Sequence, residues 1–268
     1  MSSVLGVPLV AVVGDFAGWR FPFLVIGVAL FMATILLFFM VPHQHSLRAD
    51  LDLGKRLRRI AAFPLTWHMA GSNLMARITW GVMATFFPAF LQMTYGLGTA
   101  GVALPVSVVA LWTTSAPLLE GKKGGRTRRL PITAALLLAA AVLGLGIFHL
   151  GWGVWFSVFT AGFFMLLIVP LTTILMILVA ETGGASRGTM SGIISGSNWV
   201  GTALGAAIGG LLVAQAGYGA LSFLLPGTVL RSGLLLMALM VNERAVARAR
   251  QHFSTSGGSE NETATAGP

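Results

Sequence analysis

The sequence predicts an all-α polytopic membrane protein. The chain has 268 residues, of which 56% are hydrophobic and only 9% are charged, so it has too few polar side chains to cover the surface of a water-soluble domain. Its apolar residues form separate runs, each long enough to cross about 30 Å of hydrocarbon as a helix that rises about 1.5 Å per residue. Lys and Arg clusters occupy every second gap between these runs, which is typical of a chain that crosses a membrane repeatedly.

Each apolar run is interpreted as one transmembrane helix. The predicted spans are Phe21–Met40, Leu65–Met93, Gly101–Leu119, Leu130–Leu150, Gly153–Ala180, Met190–Gln215 and Ala220–Val241. The segment Met1–Val13 is also apolar, but as a helix it reaches only about 20 Å, so we interpret it as the remainder of a span whose beginning is missing. Residues 243–268 offer almost nothing to bury and are predicted to form a disordered tail.

The basic gaps predict the orientation of the chain. They contain Arg48 to Arg59, Lys122 to Arg129, Arg187, and Arg244 to Arg250, and positive loops stay on the cytoplasmic side. We therefore expect a multi-pass protein of the cell (cytoplasmic) membrane with a cytoplasmic C-terminus. The same bias explains the net charge of +9, so the partner is the lipid bilayer, and nucleic acid is not expected.

Motifs for catalysis or metal binding are missing from the sequence. The chain has no Cys, and it contains no His-Glu-x-x-His, no Gly-x-Ser-x-Gly and no cluster of acids within a span. Asp15 and Glu120 lie only near span ends. We therefore expect no enzyme activity, no catalytic residue, no metal and no cofactor.

The span Leu65–Met93 carries the strongest functional signal. Asn73, Arg77 and Trp80 recur at helical spacing on one face, and Arg77 lies near the middle, where an unshielded guanidinium costs at least about 2.5 to 3.5 kcal/mol. These residues are predicted to face a hydrated cavity where they bind or gate a substrate. The alternative is that Arg77 forms a structural pair with an acid elsewhere in the fold.

The span Met190–Gln215 has a face of small and polar residues along its whole length. Gly192, Gly196, Gly201, Gly205 and Gly209 recur at small-xxx-small spacing, which allows another helix to approach closely. We predict that this face packs against a helix outside the chain. Asn198 lies on the same face, and direct contact between Asn198 and a substrate is the alternative interpretation.

Two stretches of the sequence resemble a known transporter family. One contains Gly6, Pro8, Gly14, Asp15, Trp19 and Arg20, and the other runs from Ser186 to Tyr218. Both end in a Gly-aromatic pair before a new apolar run, as in the parallel repeats of one transporter architecture. The first stretch resembles the fifth-helix signature of antiporters in the drug-efflux and arabinose-efflux branch of the major facilitator superfamily, and the second resembles the junction and eleventh helix of that branch.

The resemblance implies a domain arrangement. Residues 1–42 would be the end of helix five and helix six of an N-terminal bundle, 43–62 the central cytoplasmic loop, 63–242 a major-facilitator-type C-terminal six-helix bundle, and 243–268 the tail. The first four helices would be absent. Transport would then require the missing N-terminal helices or a second chain, since two bundles must rock about a shared site.

The function implied by the resemblance is secondary transport, as a transporter fragment. The expected activity is proton-linked efflux of a small organic molecule such as a drug, a sugar or a metabolite, so the partners are a small-molecule substrate and protons. The alternative is a truncated, non-transporting membrane protein, or an accessory bundle that needs another chain.

Overall fold

A computed structural model of the protein describes residues 13–14, 18, 20–40, 64–120, 129–149, 152–182 and 187–241. The described residues form seven α-helices and one short 3₁₀ turn, Tyr218–Ala220, without any strand among them. The helices are α1 Arg20–Met40, α2 Pro64–Tyr95, α3 Thr99–Glu120, α4 Arg129–Gly146, α5 Val154–Thr182, α6 Arg187–Ala216 and α7 Leu221–Val241. The all-α prediction is therefore confirmed, with one helix for each predicted span.

Within the described residues, six of these helices contain stretches that are long and apolar enough to cross a bilayer, and the described part of α4 is a shorter apolar helix, Ala134–Gly146. The run Leu130–Leu150 is shorter as a helix than the sequence predicts, because α4 ends at Gly146 and residues 147–149 form a turn. The amide of His149 donates to the carbonyl of Gly146 there, and glycine is a weak helix former that often ends helices.

The helix α2 is at the centre of the packing. It packs most extensively on α6 and α7, whereas α3 packs on α5, and α4 lies against both α5 and α7. Fully buried side chains of α2, α5 and α7, such as Leu91, Phe164 and Leu225, belong to one hydrophobic core. By contrast, α1 buries only Pro22. Its remaining apolar side chains are exposed, as expected of a span that meets lipid.

The contact between α2 and α6 depends on glycine. A Cβ atom at Gly205 would collide with the backbone carbonyl of Ile78, and one at Gly201 would lie 2.7 Å from both the Leu74 carbonyl oxygen and the Arg77 Cβ. Gly81 on α2 likewise lies against the Thr202 backbone. The two backbones therefore approach within a distance that only small residues allow.

These contacts correct one prediction. The small-residue face of Met190–Gln215 was expected to lie against a helix outside the chain, but at Gly201, Gly205 and Gly209 it lies against α2 of the same bundle. At Gly209 the neighbour is the Phe86 ring. The sequence spacing identified a close helix contact but did not identify its partner.

Hydroxyl pairs join α2 to α7. The Ser72 Oγ donates to the Ser232 carbonyl at 2.9 Å, and the Ser232 Oγ donates to the Ser72 carbonyl at 2.8 Å. Further along the same two helices, the hydroxyl oxygens of Thr79 on α2 and Thr228 on α7 lie 2.8 Å apart. All four side chains are buried, so each polar group has a partner within the bundle, as an apolar environment requires.

The domain boundaries of the sequence analysis remain predictions where they rest on residues 43–62 and 243–268, which lie outside the described residues. The same holds for nearly all of residues 1–19, and with them for Gly6, Pro8, Asp15 and Trp19 of the family signature. Of the other signature residues, Gly14 is helical and Arg20 begins α1.

Candidate functional site

Two adjoining cavities lie between α2, α3 and α5. The larger has a volume of about 350 Å³ and the smaller about 210 Å³. They share Trp80, Thr113 and Met165 in their walls, so they are neighbours, and we treat them as the two ends of one compartment. We refer to this compartment as the central cavity.

The larger end of the central cavity is almost entirely apolar. Its wall consists of Trp80, Met83, Ala84, Phe87, Pro88, Val106, Val109, Ala110, Thr113, Thr114 and Met165. Its position follows from the helix pairing, because α2 packs closely on α6 and α7 but makes few contacts with α3 and α5. The volume lies at the lower end of the range of about 300 to 1,000 Å³ that is usual for small-molecule sites.

Among the described residues, the smaller end of the central cavity has one charged side chain in its wall. Its wall is formed by Ala76, Arg77, Trp80, Thr113, Met165, Ile168, Val169 and Thr172. The Arg77 guanidinium carbon lies 5.9 Å from the centre of the Trp80 ring, within the range of a cation–π interaction. The Arg77 Nε is buried and has no hydrogen-bond partner among the described residues. The cation is therefore held in place by Trp80 but is not neutralised by it.

The threonine hydroxyls of the wall have their protons committed to the backbone. Thr113 donates to the Val109 carbonyl at 2.8 Å, and Thr172 donates to the Val169 carbonyl at 2.8 Å. Thr114 donates to the Ala110 carbonyl in the same way. A hydroxyl that donates to its own helix can still accept a hydrogen bond, so these residues add acceptors to the cavity, and Arg77 remains its strong donor.

Asn73 lies away from the central cavity. Its exposure is 0%, and its Nδ2 lies 2.7 Å from the Ser197 Oγ, 2.7 Å from the Asn198 Oδ1 and 3.2 Å from the Ile194 carbonyl. Neither Asn73 nor Asn198 is among the residues that line the two ends of the cavity. The structure thus brings the two asparagines together in the contact between α2 and α6, whereas Arg77 and Trp80 face the cavity.

The reason for this division is the close approach of α6. Gly201 and Gly205 let the backbone of α6 lie against Leu74 and Ile78 of α2, and Asn73 bonds to α6 as well. The Arg77 Cβ also lies against Gly201, but its guanidinium carbon lies 5.9 Å from the centre of the Trp80 ring, in the wall of the cavity. Side-chain length, which helical spacing does not describe, separates the two residues.

Sequence reasoning missed the contribution of α3 and α5 to the wall. Val109 and Met165 are ordinary apolar residues in apolar spans, so no signal in the sequence distinguishes them from core or lipid-facing positions. Trp112 of α3 lies against Gly162 of α5, where its nearest ring atom is 3.2 Å from the position of an added Cβ atom, and its ring centre lies 4.4 Å from that of Phe163. Trp112 therefore joins α3 to α5.

The comparisons with known proteins agree with a membrane bundle. A family model described as Major Facilitator Superfamily matches residues 1–185. The matched range contains α1 to α5 and every residue named above as lining the central cavity. No curated protein and no solved structure matches the chain.

Proposed function

Because the chain belongs to the major facilitator superfamily, a family of membrane transporters, we propose that the central cavity binds a small organic molecule and that the protein moves this molecule across the membrane. The observation that carries the proposal is a cavity of about 350 Å³ within a bundle of apolar helices. Ligand sites commonly lie between the helices of a bundle and combine apolar walls with a few placed polar groups.

The proposed direction and coupling are export linked to protons. Their support is the resemblance of the Gly6 to Arg20 and Ser186 to Tyr218 stretches to the efflux branch. The described parts of the seven helices contain no acid except Glu120 and Glu181, which lie at the ends of α3 and α5. A proton-carrying group at the level of the cavity would therefore have to come from outside these helices. The proposal includes a drug, a sugar or a metabolite as the transported molecule.

A transport assay in inside-out membrane vesicles tests the proposal. The chain is expressed in bacteria together with the N-terminal helices or the second chain that transport is expected to require, and vesicles with and without this assembly are screened with radiolabelled small organic compounds under an imposed proton gradient. We expect gradient-dependent accumulation of at least one compound, and we expect an agent that dissipates the gradient to abolish it. Failure of every compound to accumulate would favour the alternative of a non-transporting membrane protein.

Filling the cavity provides a matched pair of variants. Ala110→Phe places a ring in the wall of the larger end, whereas Ala139→Phe places the same ring on an exposed position of α4. We expect Ala110→Phe to abolish accumulation and Ala139→Phe to leave it unchanged, at equal amounts of protein in the membrane. Equal transport by both variants would show that the central cavity is not the route.

A further inference from the structure

The charge of Arg77 lies deep in the bundle. Arg77 is 13 residues from the start of α2, which corresponds to about 20 Å along the helix axis, so it is remote from both helix ends. An uncompensated guanidinium at this depth costs at least about 2.5 to 3.5 kcal/mol. A side chain with this cost is expected to be compensated by a partner at some stage of the protein's activity.

No carboxylate of the described helices is at the level of Arg77. Glu120 is seven residues beyond Thr113 on α3, and Glu181 is nine residues beyond Thr172 on α5. These separations correspond to about 10 Å and about 14 Å along the two helices, measured from residues that line the same end of the cavity as Arg77. The interaction with Trp80 leaves the net charge in place, so the compensating group has to come from outside the described helices, and a bound anion is one such group.

The composition of the wall also limits the charge of that molecule. Among the described residues that line either end of the central cavity, Arg77 is the one charged side chain. A cationic ligand would be repelled by it, and a neutral ligand would leave it uncompensated. A dianion would bring a second charge into an apolar cavity without a second cation to receive it.

Resting on the proposed function, we propose that the central cavity binds amphipathic organic monoanions. The acidic group pairs with Arg77 at the smaller end, and the apolar body occupies the larger end beside Met83, Phe87 and Val106. A guanidinium matches a carboxylate with two parallel hydrogen bonds, and the unpartnered Nε of Arg77 is one donor that such a group can use. The hydroxyls of Thr113 and Thr172 accept from any donor that the ligand carries next to its acidic group.

Binding of matched probes to the purified 268-residue chain in lipid nanodiscs tests this proposal. The probes are phenylbutyrate, naphthoate and decanoate, each compared with its primary amide and with the amine of the same apolar body. Isothermal titration calorimetry measures the Kd of each probe. A titration into empty nanodiscs is subtracted, because it measures the heat of probe partition into the lipid. We expect at least one carboxylate to bind, and to bind more tightly than its amide and its amine.

Two arginine variants connect this preference to Arg77. Arg77→Gln should weaken carboxylate binding by about ten- to hundredfold, the range expected for the loss of a charged hydrogen bond, and should remove the preference over the amide. Arg77→Lys retains the charge and should retain part of the preference. Arg231→Gln removes the same charge from an exposed position of α7 outside the cavity, and we expect it to bind like the original chain. Thermal unfolding of each variant shows whether the bundle is intact.

The outcomes separate the inference from the proposed function. Amides or amines that bind as tightly as the carboxylates, no binding of any carboxylate, or equal losses in Arg77→Gln and Arg231→Gln would overturn the monoanion inference. None of these results requires transport. A carboxylate that binds through Arg77 but is not moved across a vesicle membrane would instead contradict the proposed function and leave the binding inference intact.

Discussion

Glycine residues of α6 have different roles according to what lies opposite them. At Gly201 and Gly205 a methyl group would meet the backbone of α2, whereas at Gly192 and Gly196 there is no atom within 4 Å of the Cβ position. A glycine within a helix costs about 0.5 to 1 kcal/mol relative to alanine. The cost is offset at Gly201 and Gly205 by the close contact between helices, and the described contacts offer no such compensation at Gly192 and Gly196.

This difference predicts opposite effects of one substitution. Gly205→Ala should destabilise the bundle by about 1 to 3 kcal/mol, the usual cost of overpacking, because the Ile78 carbonyl must move away. Gly196→Ala should leave stability unchanged or slightly raise it, since it adds a better helix former in open space. Thermal unfolding of the two variants in the same detergent measures the difference. Equal melting temperatures would show that the contact between α2 and α6 is looser than described.

Among the helices, α2 combines three kinds of contact around its circumference. Small residues join it to α6, the hydroxyls of Ser72 and Thr79 join it to α7, and Arg77 and Trp80 face the central cavity. Close packing on two sides orders the helix, so the third side can hold a charged side chain in a defined position. Such support by neighbouring residues is what a binding site requires of its scaffold.

The contact between α2 and α7 is testable by cross-linking, since the chain has no cysteine of its own. The Oγ atoms of Ser72 and Ser232 lie 3.4 Å apart, so Ser72→Cys combined with Ser232→Cys should form a disulfide after mild oxidation in the membrane. The readout is loss of maleimide labelling of the denatured protein, restored by reductant. Ser72→Cys combined with Ser157→Cys on α5 should remain labelled. Full labelling of both pairs would exclude the described packing of α7.

The described part of the molecule exposes apolar surface of the kind that helices present to a bilayer. Phe23, Phe31 and Leu36 of α1 are each more than 60% exposed, and Leu138, Trp199 and Phe223 extend this surface over three other helices. Apolar patches of this extent on a water-soluble protein would cause aggregation. Helices also satisfy their own backbone groups, as spans in lipid must.

The orientation of the bundle remains a prediction from the basic gaps. A maleimide that does not cross membranes should fail to label Ser254→Cys in intact cells, because the C-terminal tail is expected in the cytoplasm. The same reagent should label Gly98→Cys, an exposed position between α2 and α3. Permeabilised cells provide the control for reactivity of both cysteines. Labelling of Ser254→Cys from outside together with protection of Gly98→Cys would reverse the predicted topology.

The sequence by itself determined the class of the protein and the position of its helices. Apolar runs of about 20 residues have one stable solution in a bilayer, the helix, because every backbone polar group must be paired within the segment. This is why each run from Phe21–Met40 to Ala220–Val241 corresponds to a helix, with only the run Leu130–Leu150 ending early. The high cost of a charge in the membrane likewise marks Arg77, in the sequence alone, as a candidate for a residue that faces a cavity.

Only the tertiary structure decided which neighbour covers each face. Helical spacing placed Asn73, Arg77 and Trp80 on one side of α2, but Asn73 pairs with Ser197, 124 positions away, while Arg77 and Trp80 line the central cavity. The glycines of α6 lie against α2 rather than against a helix outside the chain. The physical reason is that periodicity describes one helix at a time, whereas burial depends on side chains and backbones that meet from distant parts of the chain.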